Sequence, residues 1–538
     1  MNGPVVMTAV LGASLLAGQQ APQQNPPVIR STTRLVQVSV LVRDGRGAPV
    51  TGLKQEDFSL LDNGEPQEIA LFLEERPANP AAAPGGVRPQ LPPGVFSNRH
   101  EFRERAPANL TVVLLDGLNT DIRDQAWAKR QVVDFLAQLT PQDRIALYGL
   151  AGTGLRILHD YTTDIASLLE ALARHRGELA AAVQNPAASQ QIPLTGIESF
   201  DESLRETLER EERLAAEDRV VRTSAALRAI ASHLAGLPGR KNLVWVSISF
   251  PFTLGMTEPR FFINSRHPRV FSHEIESAAR ALNEANLAVY PVDARGLVGN
   301  LAFATDVRGD ARFYRGATGS FPMRSLHAGG HESMLLLAQR TGGRAFLNSN
   351  DVRGALREAL DESRSSYLVG YQPVHNQWDG RFRRIQVRLR PKGLEVRHRR
   401  GYLALPEQPQ DEKTRQALLR DALWSPLEAT GIALTATVAR ADPAKPRSIS
   451  ILAQIDSRSL DPAGASELDL FCSQRSPEGQ HLDGTMEKLS VRFEPGKAPR
   501  GGILYRKDLE LAPGAHAIRL VVRDPATGAI GSLGIPVT

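Results

Sequence analysis

Cysteine is nearly absent: the 538 residues hold one, Cys472. A single thiol excludes an intrachain disulfide, a cysteine-built zinc centre and an iron–sulfur cluster. Long apolar runs are also missing beyond the first residues. Val5–Ala17 is apolar over the length of a signal-peptide core, and no other run reaches the length of a membrane span. No lysine or arginine precedes Arg30, so the basic leader region is reduced to the terminal amine. No cysteine follows the run, which argues against a lipoprotein anchor. Charge of one sign is scarce as well: 64 Lys and Arg against 59 Asp and Glu leave a formal +5. That is small for this length and does not point to nucleic acid.

What is present divides by pattern into several domains. Residues 1–29 read as a signal peptide with a polar, Pro- and Gln-rich tail. They predict an exported protein of the periplasm, cell surface or medium; an uncleaved anchor, or a true start further upstream, is the alternative. Residues 30–75 alternate like strands, with turns at Asp44–Gly45 and Asp62–Asn63–Gly64, and form a small β module. Residues 76–108, rich in Pro, Ala and Gly, read as a linker or an extended wrap. From 109 to 372 strand and helix patterns alternate, which predicts an α/β class with a mostly parallel sheet covered by helices. Its strands are expected at Thr111–Leu115, Arg144–Leu150, Arg156–Leu158, Asn242–Ser247, Leu287–Val292 and Arg344–Phe346. Inside this region, 177–222 stands apart as a charged helical insertion, solvated or partner-binding, with acids and arginines three and four apart. Residues 373–405 read as a β extension closing the domain, and 415–538 as a C-terminal β domain.

The stretch TVVLLDGLNT carries the most information. Five apolar or β-branched residues from Thr111 to Leu115 end at a single acid, Asp116, as a buried parallel strand does on entering a loop. A helix is expected over Ala126–Leu139. In open α/β sheets, ligands bind beyond the carboxyl ends of the strands. An acid there, followed by Asn119 and Thr120, is placed to hold a hard cation or a polar ligand. It is equally placed to cap the following helix and order its own loop.

The order of elements from Leu110 to Tyr371 resembles a von Willebrand factor type A domain. The wider pattern is similar to the exported VWFA-related proteins known mainly from acidobacteria. The resemblance rests on VSVLVRDGRGAPVTGLKQEDFSLLDNGEPQEI, TVVLLDGLNT, PGRKNLVWVSISFPF, ANLAVYPVDARGL, LAQRTGGRAFLNSNDVRGALREALDESRSSYLVGYQP and the close GRFRRIQVRLR…RRGY. It spans roughly Arg34–Tyr402. The resemblance implies an α/β sandwich with a central sheet, flanked here by N-terminal and C-terminal β modules, that serves adhesion or protein binding rather than catalysis. It also implies a metal-ion-dependent adhesion site, in which Mg²⁺ is held by hard oxygens and leaves a position for a partner's carboxylate. Carried over, Asp116 matches the first acid, Thr120 the second hydroxyl and Thr223 the second-loop threonine. Leu118 stands where the first serine belongs, and Ile248, between Ser247 and Ser249, where the third-loop acid belongs. The implied Mg²⁺ site is therefore incomplete.

Other chemistry is thinner. His327 and His331 in HAGGHES stand four apart, but the glycines between them predict a loop, and neither His-Glu pair completes HExxH. GLAGTG at Gly149–Gly154 lacks the Gly-Lys-Ser/Thr ending of a phosphate loop and reads as a hairpin turn. Asp293 shares the sheet edge with Asp116, ordering its own loop by pairing Arg295. The basic stretch Arg381–Arg400 alternates, placing Arg384, Arg388 and Arg390 on a solvated strand face or in a polyanion site; few aromatics interleave it, so base stacking is not expected. The reading is an exported, non-enzymatic binding protein whose carboxyl-edge loops, with Asn119, Ser247, Ser249 and Asp293, meet an unknown protein or extracellular ligand. An enzyme would need a convergent His, Asp or Glu set that the sequence does not offer. A structural envelope component with a vestigial site is the other alternative.

Overall fold

The computed structural model describes residues 35–75, 91–99, 102, 110–120, 122–140, 143–175, 198–237, 239–247, 272–294, 322–347, 349, 351–363, 365–375, 377–379, 381–404, 412–440, 444–445, 447–460, 465–493 and 502–537. The expected signal segment, most of the linker, residues 177–197 of the insertion, and Ile248, Ser249 and Arg295 lie outside them.

Strands β1 (Val36–Arg43), β2 (Phe58–Asp62), β3 (Glu65–Gln67) and β4 (Ile69–Glu75) come from the N-terminal segment. The expected turn between β2 and β3 is present: Asn63 and Gly64 adopt φ of 50° and 90°. These two residue types tolerate the positive φ that a tight hairpin needs at both central positions. Four later strands complete the module: β11 (Ser366–Tyr371), β12 (Phe382–Leu389), β13 (Glu395–Arg397) and β14 (Gly401–Leu403). They assemble as two sheets, β13-β1-β11-β4 and β14-β12-β2-β3. The two share one core that includes Val38, Val40, Leu60, Tyr367, Val369 and Ile385. The boundary expected at 372 therefore cuts this module. Strand β11 pairs antiparallel with β1 and β4 and belongs with them, not with the α/β region.

The α/β region is built on β6 (Leu110–Asp116), β7 (Ile145–Ala151), β8 (Gly154–Thr162), β9 (Lys241–Ser247) and β10 (Leu287–Asp293). Their order is β10-β9-β6-β7-β8. Three neighbouring pairs are parallel, and β8 folds back antiparallel on β7, so GLAGTG is the turn of a hairpin. Four of the strands are buried along their whole length, as their near-continuous apolar sequences require of strands covered on both faces. Pro291 fits β10 because that strand is an edge, where a missing N–H is tolerated. The strand expected at Arg344–Phe346 is reduced to one bridge, with Phe346 N–H donating to the Pro291 carbonyl at 2.8 Å.

Helices cover both faces. On one side α1 (Ile122–Leu136), α2 (Ile165–Arg174) and α6 (Val352–Ser363) pack on Val113, Leu115, Val244, Val246 and Tyr290. On the other, α3 (Glu198–Leu234), α4 (Ser272–Glu284) and α5 (Pro322–Thr341) pack on Val112, Leu114, Leu243, Trp245 and Val289. Two expectations are corrected here. The charged stretch does not end at 222: with no glycine or proline between Glu198 and Leu234, nothing breaks the helix, and α3 runs 37 residues. HAGGHES is helical rather than a loop. Each glycine costs about 1 kcal/mol in a helix, and buried Met334, Leu337 and Ala338 in the following turns anchor α5.

The C-terminal region is a second two-sheet β domain around Ile451, Leu468, Leu470, Ile518 and Leu520. Its strands are β15 (Leu434–Arg440), β16 (Ser448–Ile455), β17 (Ala465–Arg475), β18 (His481–Arg492), β19 (Ile503–Glu510), β20 (Ala517–Arg523) and β21 (Ile530–Pro536). Part of the linker joins it: β5 (Val95–Ser97) pairs with β15, so this stretch is a strand and not a spacer. A helix not expected from the sequence, α7 (Glu412–Trp424), lays Leu419 and Leu423 on Val521. Asp421 on α7 pairs with Arg228 on α3 at 2.6 Å.

The first β module abuts the amino ends of the parallel strands. Ser39 donates to Asn286 ahead of β10, and Arg240 N–H donates to Glu75 ahead of β9. Glu362 on α6, fully buried, meets Arg43 and Arg397 from the module and Tyr290 from β10. That leaves the carboxyl ends of β6, β9 and β10 clear of it.

Candidate functional site

Alternation along three adjacent strands decides what meets at the carboxyl edge. Asp116 follows Leu114 by two residues, Ser247 follows Trp245, and Asp293 follows Val289 by four. All three side chains therefore project from the face that carries α3, α4 and α5. The register pairs Leu115 with Val246 and Ser247 with Asp293, so the three polar residues form a row across β6, β9 and β10. None of the three exceeds 2% exposure.

Asp116 is saturated with protein donors. Oδ1 accepts Asn119 N–H at 2.9 Å; Oδ2 accepts Asn119 Nδ2 at 2.8 Å, Trp245 Nε1 at 3.0 Å and Ser247 Oγ at 2.9 Å. Asn119 Nδ2 also donates to Thr223 Oγ1 on α3 at 3.1 Å. Burial pushes the Asp116 carboxyl above its ordinary pKa, and the bonds from Asn119, Ser247 and Trp245 oppose that rise. Thr120 is buried beside the row, and its carbonyl accepts Gln125 Nε2 at 2.8 Å.

These residues do not fit a magnesium ion. Mg²⁺ demands six hard oxygens in octahedral geometry and leans on anionic ones to offset its dehydration. The carboxylate of Asp116 instead accepts four N–H and O–H bonds. Leu118, where the resemblance implies a serine ligand, is buried in the apolar core. Asn119 Oδ1 is buried and accepts nothing from the described residues, but it is a single neutral oxygen. No group of three or more His, Cys, Asp or Glu among the described residues is arranged to hold a metal.

Thus Asp116, Asn119, Thr223 and Ser247 come together as a hydrogen-bonded unit. Asp293 is joined to His331 on α5, Nε2 to Oδ2 at 2.7 Å. Nothing in the local pattern pairs these two, because the loop expected around HAGGHES conceals the helix that presents His331. Trp245 was also missed as a polar partner. It reads as core within NLVWVS, and only its two-residue offset from Ser247 signals that it shares the acid's face.

No family model matches the chain, and no curated protein matches it.

Beside Asp116, on the α1 and α2 side, lies a cavity of about 280 Å³ reached by Thr120, Gln125, Lys129 and His175. Lys129 Nζ donates to the His175 carbonyl at 2.5 Å, and desolvation lowers its pKa. Arg384 and Arg388 lie elsewhere, exposed on β12 of the first module and lining a separate groove. Arg390, one residue past the strand, is exposed and does not line it.

Proposed function

We propose that this chain is an exported, non-enzymatic binding protein. In this reading the α/β region is a von Willebrand A-like domain that engages a protein or extracellular ligand through its carboxyl-edge loops without a metal. The strand order, helices on both faces and an acid closing the first parallel strand support the A-like reading. The observation that carries the metal-free mechanism is the filling of Asp116 by Asn119, Trp245 and Ser247. Those bonds make the acid a rigid strut that orders the loop, and the surface above it becomes the recognition element. The cavity at Gln125 and Lys129 supplies a concave anchor point with a cation at its wall, where a metal-dependent site would offer its ion.

The test is capture of ligand from an envelope fraction on the immobilised full chain, with magnesium and with EDTA. Retention is expected to be equal in both. It should be lost in Lys129→Glu and kept in Lys488→Glu, a control on the C-terminal domain. Capture only with magnesium, or equal capture by both variants, contradicts the reading.

A further inference from the structure

Strand β12 loses its neighbour part-way along. β14 covers only Phe382–Arg384 of its outer edge, while β2 holds the inner edge over Ile385–Leu389. Past Arg384 the outer edge is closed by two isolated bonds. Ile385 N–H donates to the Arg400 carbonyl at 2.9 Å, and Val387 N–H donates to the ring Nε2 of His398 at 3.2 Å. Since Nε2 accepts, the imidazole is neutral, and its proton sits on Nδ1, which donates to the Arg399 carbonyl at 2.7 Å. Burial favours this neutral form and lowers the His398 pKa. A side chain therefore stands where a neighbouring strand's carbonyl would pair.

The groove beside it has a volume of about 740 Å³; the backbone of Ile385–Arg388 runs along it, with Ile385 and Val387 turned into the core, and Arg384, Arg388 and Arg400 line it. The three arginines are exposed and form no ion pair with a described residue. Arg384 and Arg388 share a strand face about 13 Å apart, at 3.3 Å per residue. A cationic rim beside a strand edge closed in part by a side chain suits one kind of ligand. We propose that the groove takes an extended acidic polypeptide, which adds to β12 as an edge strand with carboxylates on Arg384, Arg388 and Arg400 and displaces His398 from the ladder. Phe382 and the His398 ring are the aromatic groups lining it, which offers nucleic acid no run of stacking platforms.

Fluorescence anisotropy of the full chain with a labelled peptide of alternating glutamate and valine tests this. Saturable binding is expected, weakened roughly tenfold or more in Arg384→Glu/Arg388→Glu. His398→Ala is expected to bind roughly threefold tighter, because the ladder position is already vacant. Charge attraction alone predicts no gain from that variant. The same peptide methylated at alternate backbone nitrogens should bind at least about tenfold more weakly, an arm that stands whatever His398→Ala does to folding. Equal affinity for the methylated peptide, or binding of a sulfated oligosaccharide with none of the peptide, overturns the proposal.

Discussion

At the scale of single residues, Asp116 shows how one position can look like a ligand and act as a strut. A buried carboxylate is tolerable only when donors or an opposite charge surround it, and here the donors are a backbone amide, an asparagine, a tryptophan and a serine. Removing the acceptor leaves those donors buried without a partner. Asp116→Ala is therefore expected to lower unfolding free energy by about 2 kcal/mol, measured by urea denaturation at neutral pH. A loss below about 0.5 kcal/mol, the range of an ordinary surface change, would contradict the role of strut. Burial raises the pKa of this acid, so the native state binds its proton more tightly than the unfolded chain. Its contribution to stability accordingly falls as pH rises from the ordinary carboxylate range through the raised value, and is flat above it.

At the scale of elements, α3 divides into two halves with different duties. Val220, Thr223, Leu227, Ile230 and Leu234 recur at helical spacing and are buried, whereas Leu214, further towards the amino end, is 57% exposed. Ile230→Ala should destabilise by about 3 kcal/mol, as core truncations do, and Leu214→Ala by less than about 0.5 kcal/mol, read from chemical denaturation. Similar losses at both positions would contradict this division. The run TVVLLD was legible because an unbroken apolar pattern and burial coincide in it. The Asn63–Gly64 hairpin was legible because its turn chemistry is local. The full extent of α3 was not, because a change from charged to apolar composition resembles a boundary although no residue there breaks a helix. Nor was α5, where two glycines outweighed the anchoring of its later turns. The bond from Trp245 to Asp116 spans 129 residues of sequence, and no local pattern encodes such a contact. The boundary at 372 misplaces β11 for a related reason: its partner β1 lies about 330 residues earlier in the chain, and no neighbouring pattern reveals that pairing.

At the scale of the whole molecule, a β module covers the amino ends of the parallel strands, through Ser39, Glu75, Arg43 and Arg397. Among the described residues no helix is long and apolar enough to cross a membrane. The covered end carries an unusual buried cation, Lys241, 2% exposed, whose Nζ donates to the Leu237 carbonyl. Desolvation lowers its pKa from 10.5 to about 8, against the pull of Glu75. Between those values the unfolded chain holds the extra proton, so stability rises with pH across that window, by up to roughly 3 kcal/mol. Urea unfolding of wild type and Lys241→Met should show this gain in the wild type alone; parallel profiles would contradict it.

The central claim is that the acid closing β6 is held by the protein and not by a metal. Isothermal titration of the full chain with Mg²⁺ and with Mn²⁺, into the millimolar range, tests it most directly. No saturable heat is predicted for either ion. A saturable heat in the wild type that disappears in Asp116→Ala would contradict the account.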